Sequence, residues 1–141
     1  LWTNPIVTFE GKFDRIDRAG INPLPRRQIP LWMGGHSEPA YERGARIGDG
    51  FVFAADGHGA VEAWNRVRHH LAEIGRPEAE FGRELLAIFA KDKQEAADHL
   101  KRWRDAGGTH GTVPSMNKGL GTDIDAHIEY VADVKRLIDA G

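Results

Sequence analysis

The chain contains no cysteine. Disulfide cross-links and thiolate metal sites are therefore excluded, and a reducing compartment suits it, so a cytoplasmic location is expected. It contains no uninterrupted apolar run near the roughly 20 residues that a membrane helix needs, and no signal peptide at its start. An excess of one charge is missing too. Nineteen Lys and Arg stand against 21 Asp and Glu, leaving a formal net charge of −2. No field of that size steers a protein towards nucleic acid or an anionic membrane, so neither is expected as a partner. Metal-ligand spacing is also absent. His69 and His70 are neighbours on a predicted helix and point about 100° apart, and His99 and His127 fall on separate helices, so no metal is expected.

What is present reads as one soluble globular unit. Its 141 residues are 40% hydrophobic and 28% charged, enough for a single core. The chain begins at Leu1 rather than Met, from which a longer parent protein is expected. Residues 1–30 hold four of the seven prolines (Pro5, Pro23, Pro25 and Pro30) and scattered aromatics, and read as an irregular lead with at most a short strand or turn. From residue 31 to 141 strands and helices alternate. Leu31–Gly34 is a buried strand, and Glu38–Ile47 a helix closed by Gly48-Asp49-Gly50. A second strand, Phe51–Ala54, leads into a loop, Asp56-Gly57-His58-Gly59. Ala60, Trp64, Val67, Leu71 and Ile74 then recur at helical spacing up to Gly75-Arg76-Pro77. Leu85–Ala90 is a third strand, and Lys93–Ala106 a helix ended by Gly107-Gly108. Thr109–Val113 is a fourth strand, and Ile124 to Ile138 mark a last helix with Asp123 or Thr122 at its start. Four strand–helix units in series predict a parallel sheet with right-handed crossovers. The apolar strands suggest that both sheet faces are covered. Two architectures fit that pattern: an open doubly wound sheet, or part of a (β/α)8 barrel, which needs about 250 residues and eight such units.

The densest chemical signal is Met33-Gly34-Gly35-His36-Ser37-Glu38-Pro39. An apolar strand stops at two glycines and a helix starts at once. Glycines let a phosphate approach the backbone, and the free N–H groups of a helix start bind it. Ser37 is the expected N-cap, and Pro39 suits an early helical position. The same pattern also fits an ordinary capped turn. Other candidates carry less. Asp56 and His58 form a possible proton-transfer pair, with turn and solvent roles as the alternative. Asp49 suits a structural bond to backbone amides at the helix-to-strand turn. Ser115 lies outside any nucleophile-elbow pattern. Lys101-Arg102-Trp103-Arg104 reads as a solvated face with a buried tryptophan, and Gly119-Leu120-Gly121 as a glycine loop.

Trp32-Met33-Gly34-Gly35-His36-Ser37, Arg43-Gly44-Ala45-Arg46-Ile47-Gly48 and Asp49-Gly50-Phe51-Val52 resemble the bacterial-luciferase-like monooxygenase superfamily. The nearest likeness is to its branch of deazaflavin (coenzyme F420)-dependent oxidoreductases. Phe9-Glu10-Gly11-Lys12-Phe13 with Pro23-Leu24-Pro25 and Pro30 is similar to the segment before that motif, and Gly75-Arg76-Pro77 and Asp105-Ala106-Gly107-Gly108 match comparable turns. The resemblance implies that residues 31–141 are the C-terminal half of a TIM (β/α)8 barrel. It implies an oxidoreductase passing a hydride between reduced deazaflavin and a small organic substrate, with a monooxygenase using reduced FMN as the alternative. Carried over by position, Gly34, Gly35, His36 and Ser37 surround the cofactor phosphate. Phe53, Asp56 and His58 are expected at the C-terminal face of the barrel, where active sites of this fold lie, and Arg43 is expected at the surface. Half a barrel leaves two bare sheet edges. Pairing with a second copy, or with an N-terminal half of the same protein, is expected to cover them. A half-barrel that binds phosphate or serves assembly without catalysis is the third possibility.

Overall fold

The computed structural model describes residues 1–140 as two compact units, residues 1–30 and the strand–helix series that follows. The first unit is more regular than its prolines suggest. Strands β1 (Val7–Glu10) and β2 (Arg15–Ala19) form an antiparallel hairpin with an irregular register between Val7 and Phe9. Val7 and Phe9 alternate along β1, but in β2 only Ile16 and Ala19 are apolar, and the charged residues around them obscure the strand signal.

In the second unit four parallel strands lie in sequence order: β3 (Trp32–Gly34), β4 (Gly50–Ala54), β5 (Gly82–Leu86) and β6 (His110–Thr112). Each is followed by a helix: α1 (Glu38–Ile47), α2 (Gly57–Glu73), α3 (Lys93–Asp105) and α4 (Ile124–Asp139). A 3-10 turn at Glu78–Glu80 precedes β5. Caps and stops are local. The Asp92 carboxylate accepts the Glu95 amide at 2.8 Å while the Glu95 carboxylate accepts the Lys91 amide at 2.6 Å, a reciprocal cap. Gly75 and Gly107, at φ +67° and +90°, turn the chain out of α2 and α3 in a conformation that glycine adopts freely.

Register decides which side chains meet. Phe51 and Phe53 of β4 and Leu85 of β5 point into the helical layer and are almost wholly buried. They pack on Trp64, Val67 and Leu71 of α2 and on Leu100 and Trp103 of α3. The ring centroids of Phe53 and Trp103 lie 5.3 Å apart. The opposite face carries Trp32, Val52, Ala54, Glu84 and Leu86, all half-buried. Trp32 lies over Gly50 and Gly82. A Cβ on Gly50 would stand 2.7 Å from its indole, so the two glycines form the floor on which the ring rests.

Three expectations change. The strands are apolar but covered on one face only, and β3 is half-exposed. The third strand runs over 82–86 rather than 85–90, because the Ile88 amide turns back to the Leu86 carbonyl at 2.8 Å and ends the ladder. Its polar start was hidden in Arg83, whose guanidinium lies over the Trp64 ring and pairs with Glu78 at 3.0 Å. The segment 57–59 is the first turn of α2, not a loop.

Candidate functional site

The turn between β3 and α1 stands at the C-terminal end of the sheet, where parallel α/β folds place their ligands. Gly35 has φ +143°, and a Cβ there would lie 2.6 Å from the Ala40 side chain, so only glycine fits. Gly34 is different. Its nearest neighbour to a built Cβ is the Val52 carbonyl at 3.7 Å, so the space before it is open. The Ala40 and Tyr41 amides both bond the Ser37 carbonyl, at 2.9 and 3.1 Å. The amides of His36, Ser37 and Glu38 make no hydrogen bond among the described residues. Pro39 has no N–H to satisfy. Ser37 occupies the N-cap position with extended backbone, yet its hydroxyl makes no cap bond. The turn therefore presents three adjacent amides, one hydroxyl and an open glycine to a ligand, and the His36 side chain is exposed beside them. This donor set fits a phosphate.

An acid at the first position of α1 would oppose an anion. Glu38 is instead drawn across to α2, where Arg66 pairs with it and His70 Nε2 lies 2.6 Å from its Oε1. His70 Nδ1 meets Glu73 at 3.0 Å. The hydrogen bond to Glu38, ahead of the one to Glu73, raises the His70 pKa against its partial burial, and the same bond lowers that of Glu38.

The other predicted residues do not join this turn. Phe53 is 2% exposed in the helix-facing core and cannot line a pocket on the open face. Asp56 and His58 do not form a side-chain pair. The Asp56 carboxylate accepts the His58 and Gly59 backbone amides at 2.9 and 2.7 Å and caps α2. The Gly59 bond, and next the His58 bond, outweigh desolvation and hold its pKa below the usual aspartate value, the wrong direction for a general acid. Asp49 has the structural role expected of it. Its carboxylate accepts the Leu31 amide at 2.8 Å at the opposite end of the sheet. Arg43 is exposed. No group of acidic residues and histidines that would hold a metal occurs among the described residues, and no helix there is long and apolar enough to cross a membrane.

Sequence reasoning missed the open face. Glu84 accepts the Thr112 hydroxyl there, and the His110 ring meets Trp32 edge-on at 5.1 Å. Strict alternation from Phe51 and Phe53 through the parallel register was the signal that could have separated the two faces. The loop after β6 is pinned by His127, whose Nδ1 lies 2.8 Å from the Ser115 hydroxyl and whose Nε2 lies 3.1 Å from the Gly121 carbonyl.

Comparison with known proteins places this arrangement. Residues 1–135 match the family model described as luciferase-like monooxygenase. A protein of Nakamurella multipartita named F420-dependent glucose-6-phosphate dehydrogenase is 40% identical over 108 residues, which cover 73% of this chain and 32% of that protein. One of the same name from Kineococcus radiotolerans is 24% identical over 110 residues, again with 73% and 32% coverage. Among solved structures, an F420-dependent secondary alcohol dehydrogenase in complex with an F420-acetone adduct superposes with a TM-score of 0.65 at 16% identity, over 98% of this chain and 58% of that one. A coenzyme F420-dependent tetrahydromethanopterin reductase from Methanopyrus kandleri gives 0.65 at 15% identity, over 95% and 58%. The chain thus spans about a third of the curated relatives and somewhat over half of the solved ones.

Proposed function

This chain belongs to the luciferase-like monooxygenase family, and from that premise we propose that it supplies the phosphate end of a coenzyme F420 site in an oxidoreductase acting on a small organic substrate. The observation that carries the reading is the trio of unpaired amides at His36, Ser37 and Glu38 beside the open Gly34. The relatives named for F420 supply the identity of the cofactor. When bound, the deazaflavin carries the hydride.

The residues of this chain bind and orient. The Gly34–Ser37 turn takes the phosphate, and the N-terminal dipole of α1 adds to its attraction. Arg66 and His70 keep the Glu38 carboxylate turned towards α2, away from the incoming anion. The half-buried Val52, Ala54 and Leu86 give the open face an apolar surface from which water is excluded once the face is covered. The exposed imidazole of His36 is the one group in the turn able to move a proton near neutral pH, and this reading gives it a binding role beside the phosphate.

The bare face and edges favour a second reading beside this one: alone, these residues bind cofactor without turnover. Titration with F420 and with FMN, followed by an assay for F420 reduction with glucose 6-phosphate, tests both. Binding of F420 in preference to FMN is expected. Preference for FMN would replace the hydride-transfer reading with the monooxygenase one, and binding without F420 reduction would remove glucose 6-phosphate as the substrate of these residues and leave the non-catalytic reading standing.

A further inference from the structure

We propose that anion binding at the Gly34–Ser37 turn is coupled to the protonation of His70, with Arg66 and His70 as positioning residues that act on the ligand through Glu38. The inference rests on the turn being an anion site and adds what sets its affinity.

Both nitrogens of one imidazole face acids. His70 lies on α2 with a side chain only 16% exposed. Its Nε2 is 2.6 Å from Oε1 of Glu38 on α1, and its Nδ1 is 3.0 Å from Oε2 of Glu73 on α2. Carboxylate oxygens only accept hydrogen bonds. A neutral imidazole has one N–H and would leave a lone pair against the other carboxylate, whereas the imidazolium has two and satisfies both. The geometry is therefore that of the charged ring. The same two hydrogen bonds, Glu38 first, raise the His70 pKa to match. Arg66 completes the clamp from one turn earlier on α2. His69 also approaches Glu73, at 3.4 Å, and its ring lies 5.9 Å from that of His70 between centroids. No third acid pairs with the His70 ring among the described residues.

Glu38 links this clamp to the turn. It is the first residue of α1, and its backbone amide is one of the three left unpaired. An acid at that position is drawn to the same amides and the same helix dipole as a phosphate. Held on α2 between two cations, the carboxylate neither covers the amides nor repels the ligand. Loss of the His70 proton removes one of those cations and one of the two bonds to carboxylate. The cluster of Glu38, Glu73, Arg66 and His70 then turns from neutral to negative beside the helix start, and anion affinity falls. Reciprocity requires that a bound anion favour the protonated ring.

Sulfate is the probe, because it does not titrate between about pH 5.5 and 8.5, where histidine does. It is exchanged for chloride at constant ionic strength. His36 stands exposed beside the turn and titrates in the same range, so every protein tested carries His36→Gln. Nuclear magnetic resonance reads occupancy from the backbone amides of residues 36–38 and protonation from the His70 imidazole. Saturation with sulfate should raise the His70 midpoint by about half a pH unit. Sulfate should correspondingly bind about threefold more tightly at the acid end, the size of effect that one charge has at a helix start. His70→Gln and Glu38→Gln should each abolish that pH dependence. The Glu38 side chain is 43% exposed, so Glu38→Gln keeps the fold even if His70→Gln does not. A His70 midpoint that ignores sulfate while residues 36–38 respond would overturn the coupling and leave the anion site standing. A midpoint that still responds in Glu38→Gln would overturn the route through Glu38. Amides that ignore sulfate would overturn the anion site itself, and the coupling with it.

Discussion

Replacing Phe53 tests whether it serves the core or the ligand site. The ring is 2% exposed and meets Phe51 at 4.8 Å, Trp103 at 5.3 Å and Trp64 at 6.4 Å between centroids. Phe53→Ala removes a fully buried aromatic from between two rigid tryptophans that cannot collapse into the space. Substitutions of that kind cost about 3–5 kcal/mol. At an m-value of about 2 kcal/mol/M, the urea midpoint should fall by roughly 1.5–2.5 M. Val52→Ala, one residue away on the half-exposed face, should cost about 1 kcal/mol, because much of that side chain already touches water. Equilibrium unfolding by tryptophan fluorescence at one fixed protein concentration measures both. Phe53→Leu retains most of the volume and keeps the chain folded for a cofactor titration, where no change in F420 affinity is expected. The core assignment fails if Phe53→Ala costs less than 1 kcal/mol, or if Phe53→Leu weakens F420 binding at unchanged stability.

Other predictions concern single polar contacts. Asp49→Ala removes the acceptor of the exposed Leu31 amide, which water can then take, and should cost about 0.5–1.5 kcal/mol, with Asp49→Asn milder because it keeps an oxygen; urea unfolding at neutral pH distinguishes them. Asp56→Ala removes the α2 cap and should cost about 1 kcal/mol. Since the folded Asp56 pKa is lowered, that contribution is present above the unfolded value and fades as pH falls through the folded one, so the difference between wild type and variant should shrink in acid. For His70 the sign reverses. Its folded pKa is raised above 6.5 by Glu38 and then Glu73, so the tie between α1 and α2 is fully present below 6.5 and is lost as pH rises through the folded value. His70→Gln should flatten that dependence in thermal melts, and an unaltered pH profile would dismiss the tie.

The strand–helix order, the α1 start, the Trp103 stripe and the Asp49 bond were legible because each rests on local spacing or on one short-range contact. The β1–β2 hairpin was not, since Arg15, Asp17 and Arg18 break its apolar run. The two ends of β5 were misjudged for opposite reasons. Arg83 and Glu84 look solvent-facing, but one packs over Trp64 and the other bonds Thr112, both partners being distant in sequence. Ile88 and Phe89 look like strand and are a turn tip. At the site, glycines and a helix start were readable from adjacent residues, whereas the facing of Phe53 depended on register with β5. Asp56 and His58 look like a catalytic pair in one dimension. In three, the carboxylate is taken by backbone amides.

The central claim is that the Gly34–Ser37 turn holds the cofactor phosphate, and Gly34→Val tests it most directly. The position has ordinary φ and an open approach, so the fold accepts the side chain while the ligand loses its access. Calorimetric titration of wild type and variant with F420, beside their melting curves, should show unchanged melting and at least a tenfold loss of affinity. Equal affinity in the two proteins would contradict the assignment of the phosphate to this turn.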